Sequence, residues 1–206
     1  MTSLRDQFGQ IDIYLFDQLL RGRIAPGMVI FDAGCGSGRN LTYMLAAGYE
    51  VFGADADPDA VVATRRLAAS LAPTLPPENF QVGLLERIAV PNKLADVVIS
   101  SAVLHFAHDD CQFDAMLRAA WQTLKPGGLF FCRLASSIGI EDQVRLIAGR
   151  RFHLPDGSER YLVDEELLLK LTDELGGQLA DPLKTTVVQN QRSMTTWVVR
   201  RNARQA

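Results

Sequence analysis

The sequence has few cysteines, and their pattern excludes several classes of protein. Cys35, Cys111 and Cys132 are the three cysteines in 206 residues. An odd number at such wide spacings supports neither a disulfide framework nor a cysteine-based metal site. The sequence therefore predicts free thiols and a reducing compartment, and we expect a cytoplasmic protein.

Long apolar runs and an excess of basic residues are also missing. No run of about 18 apolar residues could span a membrane, and no cationic-then-apolar segment resembles a secretory leader. Lysine and arginine total 21 against 24 acidic residues, a net charge of −3, which gives no general attraction to nucleic acid. We expect neither a membrane nor a nucleic-acid partner. We expect the protein to be a monomer or a homodimer.

The composition is that of an ordinary globular protein. Hydrophobic residues make up 48% of the chain and charged residues 22%. The length suits one domain with a sizeable core, and no internal repeat or low-complexity segment is present. We therefore predict a single domain over residues 1–206.

The most informative stretch, residues 29–40, reads VIFDAGCGSGRN. Apolar residues lead into Asp32, and Gly34, Gly36 and Gly38 follow at alternate positions. A helical pattern starts directly after them, which predicts a strand, a tight turn and a helix. Glycine permits positive φ and close approach of a ligand to the backbone, and the N–H groups of a helix start attract anionic groups. We expect a flat, charged ligand here.

Two acidic residues follow the next predicted strand, residues 49–54. Asp55 ends that strand, at roughly the distance from the glycine turn where dinucleotide folds place the acid that binds ribose hydroxyls. Asp57 is followed by Pro58 and Asp59 at the head of a helical pattern, which is typical of a helix N-cap. We therefore assign Asp55 to ribose binding and Asp57 to capping.

Strands and helices alternate through the middle of the chain. This alternation predicts an α/β fold, a doubly wound parallel sheet with helices on both faces and a ligand site at the carboxyl ends of the strands. The further elements are a helix over 58–72, strands over 80–84, 95–100 and 129–134, and an amphipathic helix over 113–124.

The last third of the sequence is less regular. Residues 141–149 look helical, and irregular chain or a hairpin is expected around Pro155-Asp-Gly157. Asp164 begins a capped helix. Two strands, 183–188 and 193–200, are close enough to form a hairpin, so at least one of them runs antiparallel to the sheet.

Residues 11–20 form an apolar stripe that is too wide for a simple surface helix. One interpretation is a helix that covers the edge of the sheet. The other is a lid over the ligand, with Phe8, Tyr14 or Phe16 facing the site. Both interpretations stay open at this point.

Taken together, the motifs resemble the class I S-adenosylmethionine-dependent methyltransferases, in particular the methyltransferase type 11/12 group. The resemblance covers residues 29–134 and rests on Asp-x-Gly-x-Gly-x-Gly, on Gly-Ala-Asp ending at Asp55, on ADVVISSAVLH at 95–105 and on LKPGG at 124–128. A dinucleotide fingerprint fits less well, because Arg39 stands where the third glycine of G-x-G-x-x-G belongs.

A weaker resemblance, to the tellurite-resistance type within that group, rests on Gly-Arg-Asn at 38–40 and Pro-Asp-Gly at 155–157. The family resemblance implies a Rossmann-like, seven-stranded sheet whose last strand is antiparallel. It also implies S-adenosylmethionine as cofactor and S-adenosylhomocysteine as product. The expected cofactor-binding residues are Tyr14, Asp32, Ala33, Gly34, Cys35, Gly36, Gly38, Arg39, Asp55, Ala56, Leu84, Leu85 and Ser100.

The adenine end departs from the family pattern. Many members carry an Asp after the third strand that meets the adenine amino group, whereas this sequence has Leu84 and Leu85. These residues can supply apolar walls and a backbone N–H, and Glu86 is the nearest acid. At the other end, Arg39 either pairs with the methionine carboxylate or is solvated.

His105 is the candidate catalytic residue. It is either a general base near the acceptor or a side chain packed under the cofactor. A metal site with His108 and Asp109 lacks a suitably spaced third ligand, so we expect no metal. Cys35 is explained by packing in the turn.

The sequence thus predicts methyl transfer to a small-molecule acceptor by in-line displacement. The alternatives are a non-catalytic S-adenosylmethionine-binding module and a nicotinamide-dependent dehydrogenase. The expected division of the chain is a lid segment (1–28), a cofactor-binding core (29–134), an insertion over the acceptor site (135–163), and a last helix with a terminal hairpin (164–206).

Overall fold

The computed structural model describes residues 3–91 and 93–203. The helices are α1 (Leu4–Phe8), α2 (Ile13–Leu20), α3 (Thr42–Ala46), α4 (Pro58–Leu71), α5 (Asp110–Thr123) and α6 (Glu165–Glu174). The strands are β1 (Val29–Ala33), β2 (Glu50–Asp55), β3 (Phe80–Val82), β4 (Ala95–Ser101), β5 (Leu124–Ala135), β6 (Arg145–Ala148), β7 (Arg151–His153), β8 (Glu159–Tyr161), β9 (Gly177–Leu179), β10 (Lys184–Val188) and β11 (Arg192–Arg201).

The central sheet has eight strands within the described residues, in the order β10-β11-β5-β4-β1-β2-β3, with β9 beside β11. Strands β1 to β5 are parallel, and β11 runs antiparallel to β5. This confirms the predicted doubly wound sheet with an antiparallel last strand. The short β9 adds a strand to the seven expected. Strand order reverses around β1, so a crevice opens at the carboxyl ends of β1 and β4.

Two hydrophobic clusters cover the two faces of the sheet. Side chains alternate between faces along a strand, so the neighbours Ile30 and Phe31 belong to different clusters. The cluster of Ile30 includes side chains of α3 and α4 and the fully buried Leu15 of α2. The α2 helix therefore covers a face of the sheet, and the core lies on both sides of it.

A separate three-stranded antiparallel sheet, β6-β7-β8, lies between β5 and α6 in sequence. The prediction of a helix over 141–149 is wrong, because Glu141–Gln143 forms only a 3-10 turn and β6 follows it. Leu146 and Ile147 are compatible with either period, and pairing with β7 decides the outcome. The hairpin predicted around residues 155–157 is present between β7 and β8.

Candidate active site

A cavity of about 960 Å³ opens at the carboxyl ends of the parallel strands. One wall is formed by residues that end or follow β1 to β5, as the sequence predicts for a sheet of this kind. The five strand ends are represented, in the order β1 to β5, by Gly34, Asp55, Gly83, Ala102 and Ala135. The β7–β8 hairpin and the β10–β11 turn supply the facing wall, namely Leu154, Asp156, Ser158, Arg160, Val188, Arg192 and Met194.

The glycines of the first turn have different tasks. Gly34 has a φ of +100°, and a Cβ there would collide with the side chain of Val103. Gly36 has a φ of +51°, and no atom lies within 4 Å of the position that its Cβ would take. Gly34 is therefore required by the packing of the protein itself, whereas Gly36 leaves bare backbone at the cavity.

The helix predicted to start directly after these glycines begins later. It is the five-residue α3, whose N-cap residue Leu41 makes no side-chain capping bond. The backbone N–H groups of the glycine turn therefore do not belong to a helix start. They are oriented by the turn, in which the N–H groups of Gly34 and Cys35 donate to the carbonyl of Ala54 at 2.8 and 2.9 Å.

Asp55 is fastened to the glycine turn. Its Oδ2 accepts the N–H of Gly36 at 2.8 Å, and its Oδ1 accepts the N–H of Asp57 at 3.0 Å. The Thr64 hydroxyl of α4 donates to the carbonyl of Gly36 at 2.7 Å. Each carboxylate oxygen retains acceptor capacity, so Asp55 is placed to accept further hydroxyl donors from the cavity. Asp57 caps α4 by accepting the N–H of Asp59, as predicted.

Asp32 is the outstanding buried acid of the site. It is 1% exposed, and neither carboxylate oxygen has a hydrogen-bond partner among the described residues. Burial raises its pKa to about 8, an effect that Arg39 opposes and Asp55 reinforces. A buried carboxylate without a partner is unfavourable, so this position suits a cationic or hydrogen-bond-donating ligand group nearby.

Arg39 and Arg133 bring two guanidinium groups to the end of β4. Nη2 of Arg39 donates to Oγ of Ser101 at 3.0 Å. Arg133 is the β5 residue in register with Ser101, and its Nη1 lies 3.0 Å from Oδ2 of the buried Asp12. Both arginines line the cavity. Arg39 has no carboxylate partner within the described residues, so it remains able to pair with a ligand carboxylate.

The N-terminal segment lies beside the site. None of its described residues, 3–28, is on the cavity wall. Phe8 stacks on Tyr43 with ring centroids 5.0 Å apart. The hydroxyl of Tyr14 is 2.8 Å from that of Thr186, and the Arg133 guanidinium lies 5.8 Å from the centre of the Tyr14 ring. Tyr14 is thus off the cavity wall in this structure, and it contacts Arg133, which lies on the wall.

The β3 end of the cavity combines apolar and polar groups. Leu84 is partly exposed and Leu85 is almost buried, and both line the wall. From α5, the side chain of Gln112 donates to Oε1 of Glu86 at 3.0 Å, and Met116 adds an apolar surface. This end therefore offers apolar contacts together with a fixed carboxylate, which suits a flat ring that carries hydrogen-bond donors.

His105 lies in the turn after β4. Its side chain is 5% exposed, and its Nδ1 accepts the N–H of Ala135 at 3.1 Å. Burial, and secondarily the charge of Arg160, lower its pKa to about 4. The imidazole is therefore neutral near pH 7, with its proton on Nε2. His108 also lines the cavity and contacts Arg151. No group of three or more metal-ligating side chains occurs among the described residues.

The structure brings most of the predicted site residues together. Those on the cavity wall are Gly34, Cys35, Gly36, Arg39, Asp55, Ala56, Leu84, Leu85 and His105. Those not on it are Tyr14, Asp32, Ala33, Gly38 and Ser100. Of these, Asp32, Ala33 and Ser100 are buried in the strands, and a Cβ on Gly38 would meet Leu67 and Thr64 of α4.

Sequence reasoning missed several residues of the cavity wall. Arg133 carried a signal, because it is the only charged residue in the apolar run 129–134 and stands near the carboxyl end of its strand. Asn40, which follows the glycine motif, also accepts the N–H of Asp12 at 3.0 Å. Arg192 had no comparable signal, because its position depends on a turn between two strands.

The fold and the glycine turn define an α/β domain of the class I methyltransferase type. A model of the methyltransferase-domain family matches residues 31–132. The chain belongs to this family and is an S-adenosylmethionine-dependent methyltransferase. No curated protein sequence matches the chain.

Solved structures with the same fold are numerous. An S-adenosylmethionine-dependent methyltransferase from Methanosarcina mazei has 18% identity and a TM-score of 0.71, over 90% of this chain and 97% of that one. The 1,6-didemethyltoxoflavin-N1-methyltransferase of Burkholderia thailandensis, with bound 1,6-didemethyltoxoflavin and S-adenosylhomocysteine, has 18% identity and a TM-score of 0.70, over 95% of this chain and 79% of that one.

A third similar structure is the magnesium protoporphyrin IX methyltransferase of Synechocystis with bound S-adenosylmethionine. It has 18% identity and a TM-score of 0.65, over 93% of this chain and 77% of that one. At these identities the likeness concerns the fold. The cofactor is S-adenosylmethionine, and three features of this chain fit it: the bare backbone at Gly36, the fastened Asp55 and the unpartnered Asp32.

Proposed function

We propose that the protein transfers the methyl group of S-adenosylmethionine to a small-molecule acceptor. The observation that carries this proposal is that one cavity joins the glycine turn at the strand ends to a second wall formed by the β7–β8 hairpin and the β10–β11 turn. Its volume of about 960 Å³ is at the upper end of the range of about 300–1,000 Å³ for small-molecule sites. A cavity of this size suits a cofactor and one compact acceptor.

In this proposal, the chain's own residues bind and orient. Gly36 and Arg39 hold the amino-acid part of the cofactor, Asp55 accepts its ribose hydroxyls, and Leu84 and Leu85 pack on its adenine. Asp32 is buried below the turn, and its pKa of about 8 keeps it largely protonated near pH 7 in the cofactor-free protein. The ammonium of the bound cofactor would favour its ionised form. Alignment of two bound reactants and exclusion of water are the main contributions that such a site can make.

The bound cofactor supplies an activated methyl group on a sulfonium. The accepting atom uses a lone pair to form the new carbon bond while the bond to sulfur breaks and leaves its electron pair on sulfur. The products are the methylated acceptor and S-adenosylhomocysteine, and a proton carried by the acceptor is released to water or to a base. No other co-reactant is needed.

Residues 135–163 form the acceptor side in this proposal, because the β7–β8 hairpin provides part of the second wall. Two of the similar structures are methyltransferases named for small molecules, 1,6-didemethyltoxoflavin and magnesium protoporphyrin IX. The net charge of −3 does not favour a polyanionic acceptor. We also infer a reducing, cytoplasmic compartment from the free thiols of Cys35, Cys111 and Cys132.

The test has two stages. Isothermal titration with S-adenosylmethionine, S-adenosylhomocysteine and NADH measures which cofactor binds, and the proposal requires the first two. Mass-spectrometric detection of S-adenosylhomocysteine then measures turnover on a panel of small thiols, phenols, amines and carboxylates. Binding of NADH alone would contradict the proposal. Cofactor binding with no product above the acceptor-free background would instead identify a binding module.

A further inference from the structure

The acceptor end of the cavity is rich in hydrogen-bond donors. His105 approaches from the turn after β4, Arg160 from β8 and Arg192 from the start of β11. All three line the cavity. They come from separate elements, so their convergence is a property of the folded chain.

The ring of His105 has a defined donor and a defined acceptor. A backbone N–H can only donate, so the contact from Ala135 fixes Nδ1 as the acceptor and places the ring proton on Nε2. Nε2 makes no hydrogen bond with the described residues, and the ring lies on the cavity wall. His105 therefore offers the cavity a neutral N–H donor. It does not offer a free lone pair, which a general base would need.

Neither of the two arginines has a carboxylate at ion-pair distance among the residues that the structure describes. Nη1 of Arg160 donates to the carbonyl of Glu159 at 2.7 Å, and its guanidinium lies 4.9 Å from the centre of the Phe106 ring. The side chain of Arg192 makes no hydrogen bond or ion pair with any residue in the described ranges, although its backbone pairs with Val188 of β10. By contrast, Arg133 at the same cavity is paired with the buried Asp12. Two guanidinium groups thus line the cavity, and within residues 3–91 and 93–203 no carboxylate lies at ion-pair distance from either.

One acid opposes them. Asp156, on the hairpin tip, interacts electrostatically with both Arg160 and Arg192, and its Oδ1 accepts the N–H and the hydroxyl of Ser158 at 2.9 and 2.6 Å. Two positive groups against one negative group leave this end of the cavity with a positive excess. Guanidinium groups bind carboxylate and phosphate more strongly than they bind neutral groups.

We propose that the acceptor carries an oxyanion, a carboxylate or a phosphate, which anchors it between Arg160 and Arg192, with the Nε2–H of His105 as an additional donor. This inference rests on the proposed methyl transfer and specifies its substrate class. The oxyanion is the group by which the acceptor is held. His105 is a specificity-determining donor that does not act as a base.

The first experiment compares matched pairs of probes on the protein saturated with S-adenosylhomocysteine. The pairs are 4-hydroxybenzoate with 4-hydroxybenzamide and 3-mercaptopropanoate with 3-mercaptopropanamide, and phenyl phosphate distinguishes phosphate from carboxylate. In isothermal titration, we expect each anion to bind about tenfold or more tightly than its amide. Arg160→Gln combined with Arg192→Gln should abolish that preference.

Arg145→Gln is the matched control, because Arg145 lies on β6 of the same small sheet and is exposed away from the cavity. This variant should keep the preference for anions. Equal binding of acids and amides, absence of binding by every anion, or an equal loss in the control would overturn the proposal. Failure of S-adenosylhomocysteine to bind at all would instead overturn the proposed function, so the two failures are distinguishable.

The second experiment concerns the tautomer of His105. Nitrogen-15 NMR of the intact protein should show a neutral ring protonated at Nε2 from pH 5.5 to 8. His105→Leu should lower the affinity for the anionic probes about tenfold, and His105→Gln, which restores an N–H donor near Nε2, should recover part of it. A ring protonated at Nδ1, or equal losses in both variants, would contradict the assigned donor.

Discussion

The carboxylate of Asp55 accepts the backbone N–H of Gly36 at 2.8 Å, so the acid at the end of β2 and the bare glycine of the turn form one unit. The same carboxylate accepts the N–H of Asp57, the residue that caps α4. A cofactor bound against Gly36 is thereby placed beside an acceptor of hydroxyl hydrogen bonds. The first prediction follows from this link.

Substitution of Asp55 and of Asp57 should have different effects. Asp55→Ala should weaken S-adenosylmethionine binding by about 1–3 kcal/mol, since a buried hydroxyl pair loses its acceptor. Asp57→Ala should lower the free energy of unfolding by about 1 kcal/mol through loss of the cap, with affinity nearly kept. Isothermal titration and urea denaturation of both variants measure the two effects, and reversed phenotypes would show that the roles of the acids are exchanged.

Gly34→Ala and Gly36→Ala form a second matched pair. Both positions have positive φ, so each alanine carries a backbone penalty of about 1–2 kcal/mol. Gly34→Ala should destabilise the protein further, because its Cβ meets Val103. Gly36→Ala should lose cofactor affinity with a smaller loss of stability, because its Cβ enters open cavity. Thermal denaturation without cofactor and titration with S-adenosylmethionine separate these outcomes, and equal effects of both variants would contradict the division of tasks.

Asp32→Asn should stabilise the cofactor-free protein and weaken cofactor binding. The pKa of Asp32 is about 8 in the folded state against 3.8 for the free side chain, so between these pH values the unfolded state releases a proton that the folded state retains. The contribution of this group therefore becomes less favourable to folding as pH rises from about 4 to about 8. Asparagine removes that dependence.

The stabilisation by Asp32→Asn should thus be larger at pH 8 than at pH 5, as measured by urea midpoints at both pH values without cofactor. Calorimetric titration with S-adenosylmethionine at pH 8 supplies the affinity. A variant that is less stable than the natural protein at pH 8 would show that Asp32 is ionised and partnered in the cofactor-free state.

Asp12→Ala should destabilise the protein strongly. The side chain of Asp12 is 1% exposed, and its partner Arg133 is 25% exposed and has a buried Nε without a hydrogen-bond partner. Removal of one member of such a pair leaves the other charge without its partner, so the free energy of unfolding should fall by about 3 kcal/mol. Asp17→Ala is the control, because Asp17 is 33% exposed and its ion pairs with Arg21 and Lys184 are screened by solvent, so its loss should be much smaller. Guanidinium denaturation compares the two, and similar losses would contradict the buried-pair argument.

Local signals predicted most of the scaffold. Asp57, Pro58 and Asp59 predicted the start of α4, and alternation of apolar runs with amphipathic segments predicted the parallel sheet. These signals are readable because capping, turn formation and periodicity depend on residues a few positions apart. The glycine turn was likewise readable, although α3 begins later and is shorter than expected.

The failures share a physical cause. Residues 141–149 were predicted to be helical, yet β6 forms because β7 supplies its backbone partners. The three residues of β9 have no strand pattern of their own, and their hydrogen bonds come from β11. A strand forms only where another strand supplies its backbone hydrogen bonds, so short segments cannot be assigned from their own composition.

The sequence by itself determined the cofactor half of this protein: the glycine turn, Asp55 at the next strand end and the helices that cover the sheet. The tertiary structure alone decided the proposed acceptor half. It brought Arg160 and Arg192 to one cavity and set the hydrogen bond that fixes the ring proton of His105 on Nε2. The physical reason is that the cofactor site is built mainly on short turns at strand ends, whereas the proposed acceptor site depends on packing between elements far apart in the chain.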